Sequence, residues 1–117
     1  MEFASNKPIY QQIVDFCFSR ILQGDWIGET RVPSVRELAM EMAVNSHTVL
    51  KSYEYLQAQG IIYPKRGLGF FLAADARDRV MELRREEFYT TTLRELFSSM
   101  DDLGISIDDI VAHYRTR

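Results

Sequence analysis

The sequence predicts a mainly α fold in which three helices and a β-hairpin are followed by two further helices. Three observations carry that expectation. Apolar residues recur at helical spacing up to Gly60, the period then changes to two short apolar runs, and a charged helical pattern resumes after Ala74.

The first helix begins near Pro8, whose missing N–H would be unpaired in a first turn anyway. Ile9, Ile13, Phe16, Cys17 and Ile21 follow at helical spacing, and Gly24 stands where a C-terminal cap belongs. A helix over about residues 8–23 results, with Cys17 as a packing residue on its buried face. Residues 25–33 hold Gly28 and Pro33 and read as a connector, with a short strand near Arg31 and Val32. Ser34 then offers an N-cap, and Glu37 three residues on completes a capping box.

Val35, Leu38, Ala39 and Met42 give the second helix its apolar stripe, ending near Ala43. After a tight turn, Asn45 or Ser46 caps the third. Val49, Tyr53 and Leu56 form its buried face, which leaves His47, Thr48, Lys51, Ser52 and Tyr55 on the others. Beyond Gly60, the runs 61–63 and 69–72 read as strands, with residues 64–68 as a loop carrying Lys65 and Arg66. Helix, short helix, tight turn, helix, then a hairpin with a basic loop: that order is a winged helix-turn-helix, expected over residues 1–73.

Residues 74–117 form the tail. A helix over about 75–100 carries Met81, Phe88, Leu93, Leu96 and Phe97, and Gly104 breaks the pattern. Ser106, with Asp109 as capping-box partner, opens a last helix bearing Ile107, Ile110, Val111 and Tyr114. The turn over residues 101–105 permits a helical hairpin, but two helices cannot bury all of these apolar faces between themselves. A second copy of the chain is the economical partner, so these nine residues are the expected dimerisation surface.

Composition narrows the classes. A chain of 117 residues with 46% hydrophobic and 12% aromatic content has a real core and is not disordered. No apolar run reaches the length of a membrane span, and the N-terminus lacks a charged-then-apolar signal pattern. A single cysteine fits a reducing compartment, and the expected location is the cytoplasm. The net charge of −3 is unevenly spread: residues 1–73 balance seven bases against seven acids, whereas the tail has seven against ten. Between Arg31 and Ala73, five bases face three acids, a local excess on one part of the head.

Two helices joined by a tight turn can set the second in the major groove of DNA. Asn45, Ser46, His47, Thr48 and Lys51 leave its first two turns with donors and acceptors able to meet base edges or phosphates. Its N-terminus presents free N–H groups. Lys65, Arg66 and Gly67 at the hairpin tip suit phosphates or a minor groove, and Arg36 is a third base on the same side. Catalysis finds little support. Gly67-Leu68-Gly69 lies in a hairpin and lacks the third glycine of a dinucleotide loop. His47, His113 and Cys17 have no metal-ligand spacing, and Asp101-Asp102 and Asp108-Asp109 read as helix-end acids. Neither metal nor cofactor is expected.

The run Pro33-Ser34-Val35-Arg36-Glu37-Leu38-Ala39, then Val44-Asn45-Ser46-His47-Thr48-Val49, resembles the DNA-binding domain of the GntR family of bacterial regulators. Residues 53–62 and 65–72 continue the resemblance through the wing. By it, Arg36 is a DNA contact, residues 45–48 begin the recognition helix, and Arg66 and Gly67 meet the minor groove. Many relatives carry Arg where Ser46 stands. The Val-Asn-x-x-Thr-Val form with Tyr53 is similar instead to the short-tailed YtrA-type branch, whose tail is a helical dimerisation element. The resemblance implies a homodimeric repressor on an inverted-repeat operator of double-stranded DNA, with no effector identified. The alternative reading is a winged helix serving as a protein-interaction module, which the overall acidity suits.

Overall fold

The computed structural model describes residues 7–117. The N-terminal residues read above for a signal pattern lie, up to Asn6, outside the described residues. The chain divides into two compact units, Met1–Glu82 and Leu83–Arg117.

In the first unit, α1 spans Ile9–Leu22, α2 Val35–Met42 and α3 Ser46–Ala58. Pro8 stands just outside α1 in extended geometry, at the cap position rather than in the first turn. Ile13, Val14, Cys17, Phe18 and Ile21 are the buried side of α1, whereas Ile9 is exposed and Phe16 only half-buried. The guanidinium of Arg20 covers the Phe16 ring at 4.8 Å, which keeps that ring at the surface. The capping box of α2 is complete: Ser34 Oγ accepts from Glu37 N at 3.0 Å and Glu37 Oε1 from Ser34 N at 3.1 Å. Ala43 adopts the left-handed conformation at φ 55°, ψ 47° and closes α2, so that α3 starts three residues later.

Val49, Tyr53 and Leu56 are buried in α3, as the periodicity requires. Ser52 is buried too, against expectation. Its hydroxyl donates to the Tyr10 carbonyl at 2.8 Å, with the Thr48 carbonyl 3.1 Å away, so a polar side chain is satisfied at the packed α1–α3 contact. Tyr53 donates its hydroxyl to the Pro33 carbonyl at 2.6 Å and meets Phe70 edge-on at 5.4 Å. One residue thereby ties α3 to the α2 entry and to the wing.

The hairpin pairs β1, Ile62–Lys65, with β2, Gly69–Leu72, antiparallel in the register Ile62 to Leu72 and Lys65 to Gly69. Pro64 and Lys65 therefore belong to the strand, and the tip is shorter than the sequence suggests. Pro64 is tolerated because β1 is an edge strand. The other side of β2 takes the connector: Glu29 N donates to Leu72 O at 2.7 Å, Val32 N to Phe70 O at 2.9 Å, and Arg31 bridges to Phe71. The expected strand near Arg31 is thus a single bridge with flanking bonds. Gly67, at φ 77°, makes the turn that Leu68 N closes onto Lys65 O at 2.9 Å.

Helix α4, Ala76–Glu87, starts beside the head, where Ala76 and Val80 are buried and Arg77 donates to the Leu22 carbonyl. These contacts carry the first unit past residue 73.

In the second unit a π-helical segment, Phe88–Thr92, separates α4 from α5, Leu93–Leu103, where the sequence suggests one regular helix. Leu93 N donates to Phe88 O, five residues back. Thr90 Oγ1 donates to the Glu86 carbonyl at 2.9 Å and so competes with the regular helical bond to that carbonyl. Gly104, at φ 65°, ends α5, and the Ser106–Asp109 capping box opens α6, Ile107–Arg115. Within this unit Met100 is buried, and α6 buries none of its residues. Among the described residues no helix is long and apolar enough to cross a membrane.

Candidate nucleic-acid interface

The start of α3 is built by Asn45, whose Oδ1 accepts from His47 N at 2.8 Å. That bond satisfies one of the orphan donors of the first turn and fixes the direction in which the turn faces. Ser46, His47 and Lys51 are exposed, and Thr48 is half-buried with its carbonyl toward Ser52. The ammonium of Lys51 lies 4.0 Å from the Tyr10 ring centroid, so α1 restricts where it can go.

Arg36 is exposed in the first turn of α2 and makes no ion pair or hydrogen bond among the described residues. Arg66 at the wing tip is in the same state, beside Gly67. Lys65 is held differently. Its ammonium sits 4.2 Å from the Phe71 ring and 5.9 Å from Tyr63, on one face of the hairpin. Tyr63 and Phe71 face each other across the strands at 6.2 Å. The tip therefore offers one unpaired cation, Arg66, with Lys65 behind it.

Two residues of this surface have no sequence signal of their own. Arg31 bonds Glu37 Oε1 at 2.8 Å, and its guanidinium lies where a Cβ on Gly69 would meet it at 3.2 Å. Gly69, at φ 103°, thus leaves room for an arginine at the foot of the wing. Only the strand-to-connector bridge brings the two together. Leu50, on the outer side of α3, is 39% exposed among polar neighbours. The Glu37 carboxyl is held below its usual range, first by the Ser34 backbone and side-chain hydrogen bonds and then by Arg31. It stays ionised and offsets Arg31, while Arg36 is left to act outward.

Residues 9–72 match the family described as bacterial regulatory proteins, gntR family. The chain belongs to the GntR family. As a GntR protein it is a transcription regulator with a winged-helix DNA-binding domain, and not an enzyme. The HTH-type transcriptional repressor YtrA of Bacillus subtilis is 37% identical over 78 residues, 67% of this chain and 60% of YtrA. A GntR family transcriptional regulator from Listeria monocytogenes superposes with a TM-score of 0.80 at 33% identity, over 98% of this chain and 99% of that one. The DNA-binding domain of AraR, solved in complex with operator ORR3, superposes with a TM-score of 0.56 at 30% identity, over 62% of this chain and 88% of that one.

The nine predicted tail residues are distributed over four elements. Met81 is on α4, Phe88 opens the π segment, and Leu93, Leu96 and Phe97 are on α5. Ile107, Ile110, Val111 and Tyr114 are on α6. Met81, Phe88, Leu96, Phe97, Ile107 and Tyr114 are exposed, and the other three are half-buried.

Proposed function

We propose that this GntR protein is a homodimeric transcription repressor of the short-tailed YtrA-type branch, acting in the cytoplasm on an inverted-repeat operator. Its DNA-contacting residues are Arg36, Asn45, Ser46, His47, Thr48, Lys51, Lys65, Arg66 and Gly67, with residues 1–73 as the DNA-binding part and 74–117 as the dimerising part. The observation that carries the reading is the capped N-terminus of α3, which exposes Ser46, His47 and Lys51 while Arg36 and Arg66 stand exposed and unpaired. A recognition helix enters the major groove by its N-terminal residues, and flanking bases grip the phosphates. The operator-bound AraR domain and the repressor YtrA, both similar to this head, support the same assignment.

The tail supports the dimer. Exposed Phe88, Phe97, Ile107 and Tyr114 leave more apolar surface than a solvated helical tail should carry, and α6 does not cover it. Pairing two heads raises affinity through effective concentration, without new base contacts. Half-site centres then lie about 10 base pairs apart or a multiple of that. A gel shift on DNA upstream of the protein's own gene, repeated at rising salt, tests the reading. Binding that weakens steeply with salt is expected. No binding at low salt would turn the assignment toward a protein-interaction module.

A further inference from the structure

The outward side of α3 carries Ser46, His47, Leu50, Lys51 and Glu54, all exposed. Leu50 lies one turn on from Ser46 and His47 and one turn before Glu54, so its neighbours on that face are polar. It is 39% exposed, whereas Val49 beside it is fully buried. Leu50 therefore leaves part of its side chain outside the packing that holds α3 to the head.

A lone leucine on an ordinary solvated helix needs no explanation. This one is the fifth residue of the helix whose capped end forms the candidate interface. In a helix-turn-helix the N-terminal turns of that helix face the bases, so Leu50 comes to the groove floor with His47 and Lys51 around it. Its side chain has neither donor nor acceptor and cannot bond a base edge. The one apolar group that base pairs present in the major groove is the C5-methyl of thymine.

We propose that Leu50 is a specificity-determining residue that reads a thymine by covering its methyl group. The inference rests on taking α3 as the recognition helix. It adds a base preference that the polar residues do not supply: thymine over cytosine, which lacks the methyl group and brings an amino donor that leucine cannot satisfy.

The full-length protein first selects its preferred duplex from a random library. Each thymine of that duplex is then replaced in turn by deoxyuridine, which lacks only the methyl group. At one position per half-site the replacement is expected to weaken binding about fourfold, the worth of one buried methyl group. The Leu50→Ala variant, altered only at an exposed position, is expected to bind both duplexes equally. Leu50→Gln is expected to select adenine at that position, since glutamine bonds adenine through two groups.

Tolerance of deoxyuridine at every position, or an unchanged deoxyuridine penalty in Leu50→Ala, overturns the assignment. If a preferred duplex emerges and His47→Ala and Thr48→Ala abolish the preference while deoxyuridine is silent, the Leu50 assignment alone falls. If the library returns no preferred sequence, α3 does not read bases and both readings fall.

Discussion

Arg66 shows how much a single residue of the wing is asked to do. It stands beside Gly67 with no acid among the described residues to hold it, while Lys65 behind it lies on Phe71. Arg66→Ala should weaken binding to every DNA sequence and lower the slope of log affinity against log salt by about one; gel shifts at several salt concentrations measure this. Cys17 is the opposite case. Burial pushes its thiol up to about 12, against a smaller lowering by a backbone hydrogen bond. A thiol reagent at neutral pH should leave the folded protein unlabelled and modify Cys17 only after denaturant is added. The neutral thiol is favoured in the folded state, so its stabilising contribution falls as pH rises past the unfolded thiol's value. At the α2 cap the sign is reversed. Glu37 is depressed in the folded state, so its contribution is present above the ordinary carboxylate range and lost as pH falls through the folded value. Ser34→Ala should cost about 1 kcal/mol and flatten that acid limb, as read by urea denaturation across pH.

At the scale of elements, the π segment has a consequence for the tail. Leu93, Leu96 and Met100 share one face of α5 by their spacing. Phe88 is five residues before Leu93, which in a regular helix would turn it well away from that face. Because Leu93 N closes onto Phe88 O, the two residues are one turn apart, and Phe88 joins the stripe. The three successive threonines, with Thr90 bonded to Glu86, supply the local reason for the wider turn. Deleting Thr91 should restore a regular helix and rotate Phe88 out of the stripe. The helical circular dichroism should be kept, and sedimentation equilibrium should show a dimer at least tenfold weaker. A deletion variant that pairs as tightly would show the π segment to be local relief of crowding and nothing more.

The whole molecule has to join reading and pairing. Ala76 and Val80, in the first turns of α4, are buried in the first unit. A chain ending at Glu82 should therefore fold cooperatively, remain monomeric and bind DNA much more weakly than the full chain. One ending at Ala74 should lose a further 1.5–3 kcal/mol or so, because the Val80 side chain goes with it; thermal melts of the two separate these cases. The full chain should be a dimer by light scattering at micromolar concentration. A monomer at that concentration, or a truncated head that binds as tightly, would remove the tail from the account.

Local rules in the sequence determined the helices, their caps and the hairpin. Ser34 with Glu37 and Ser106 with Asp109 are capping boxes in the structure as in the sequence, because both partners lie within one turn. The residues proposed to meet DNA on α3 could be named for the same reason: cap, polar face and apolar stripe are all written within that helix. Long-range contact decided the rest. Ser52 reads as a surface serine until the Tyr10 carbonyl, on another helix, accepts its proton. Arg31 reads as a connector base until the bridge to Phe71 carries it to the foot of the wing. Pro64 reads as a loop residue until β1 is seen to be an edge strand. Periodicity alone draws a regular helix through Phe88–Thr92, since the wider turn depends on which carbonyl each donor finds. Sequence spacing reports which residues share a face of one element, whereas the partner of that face is set by chain segments far apart in sequence, and there only the tertiary structure could choose.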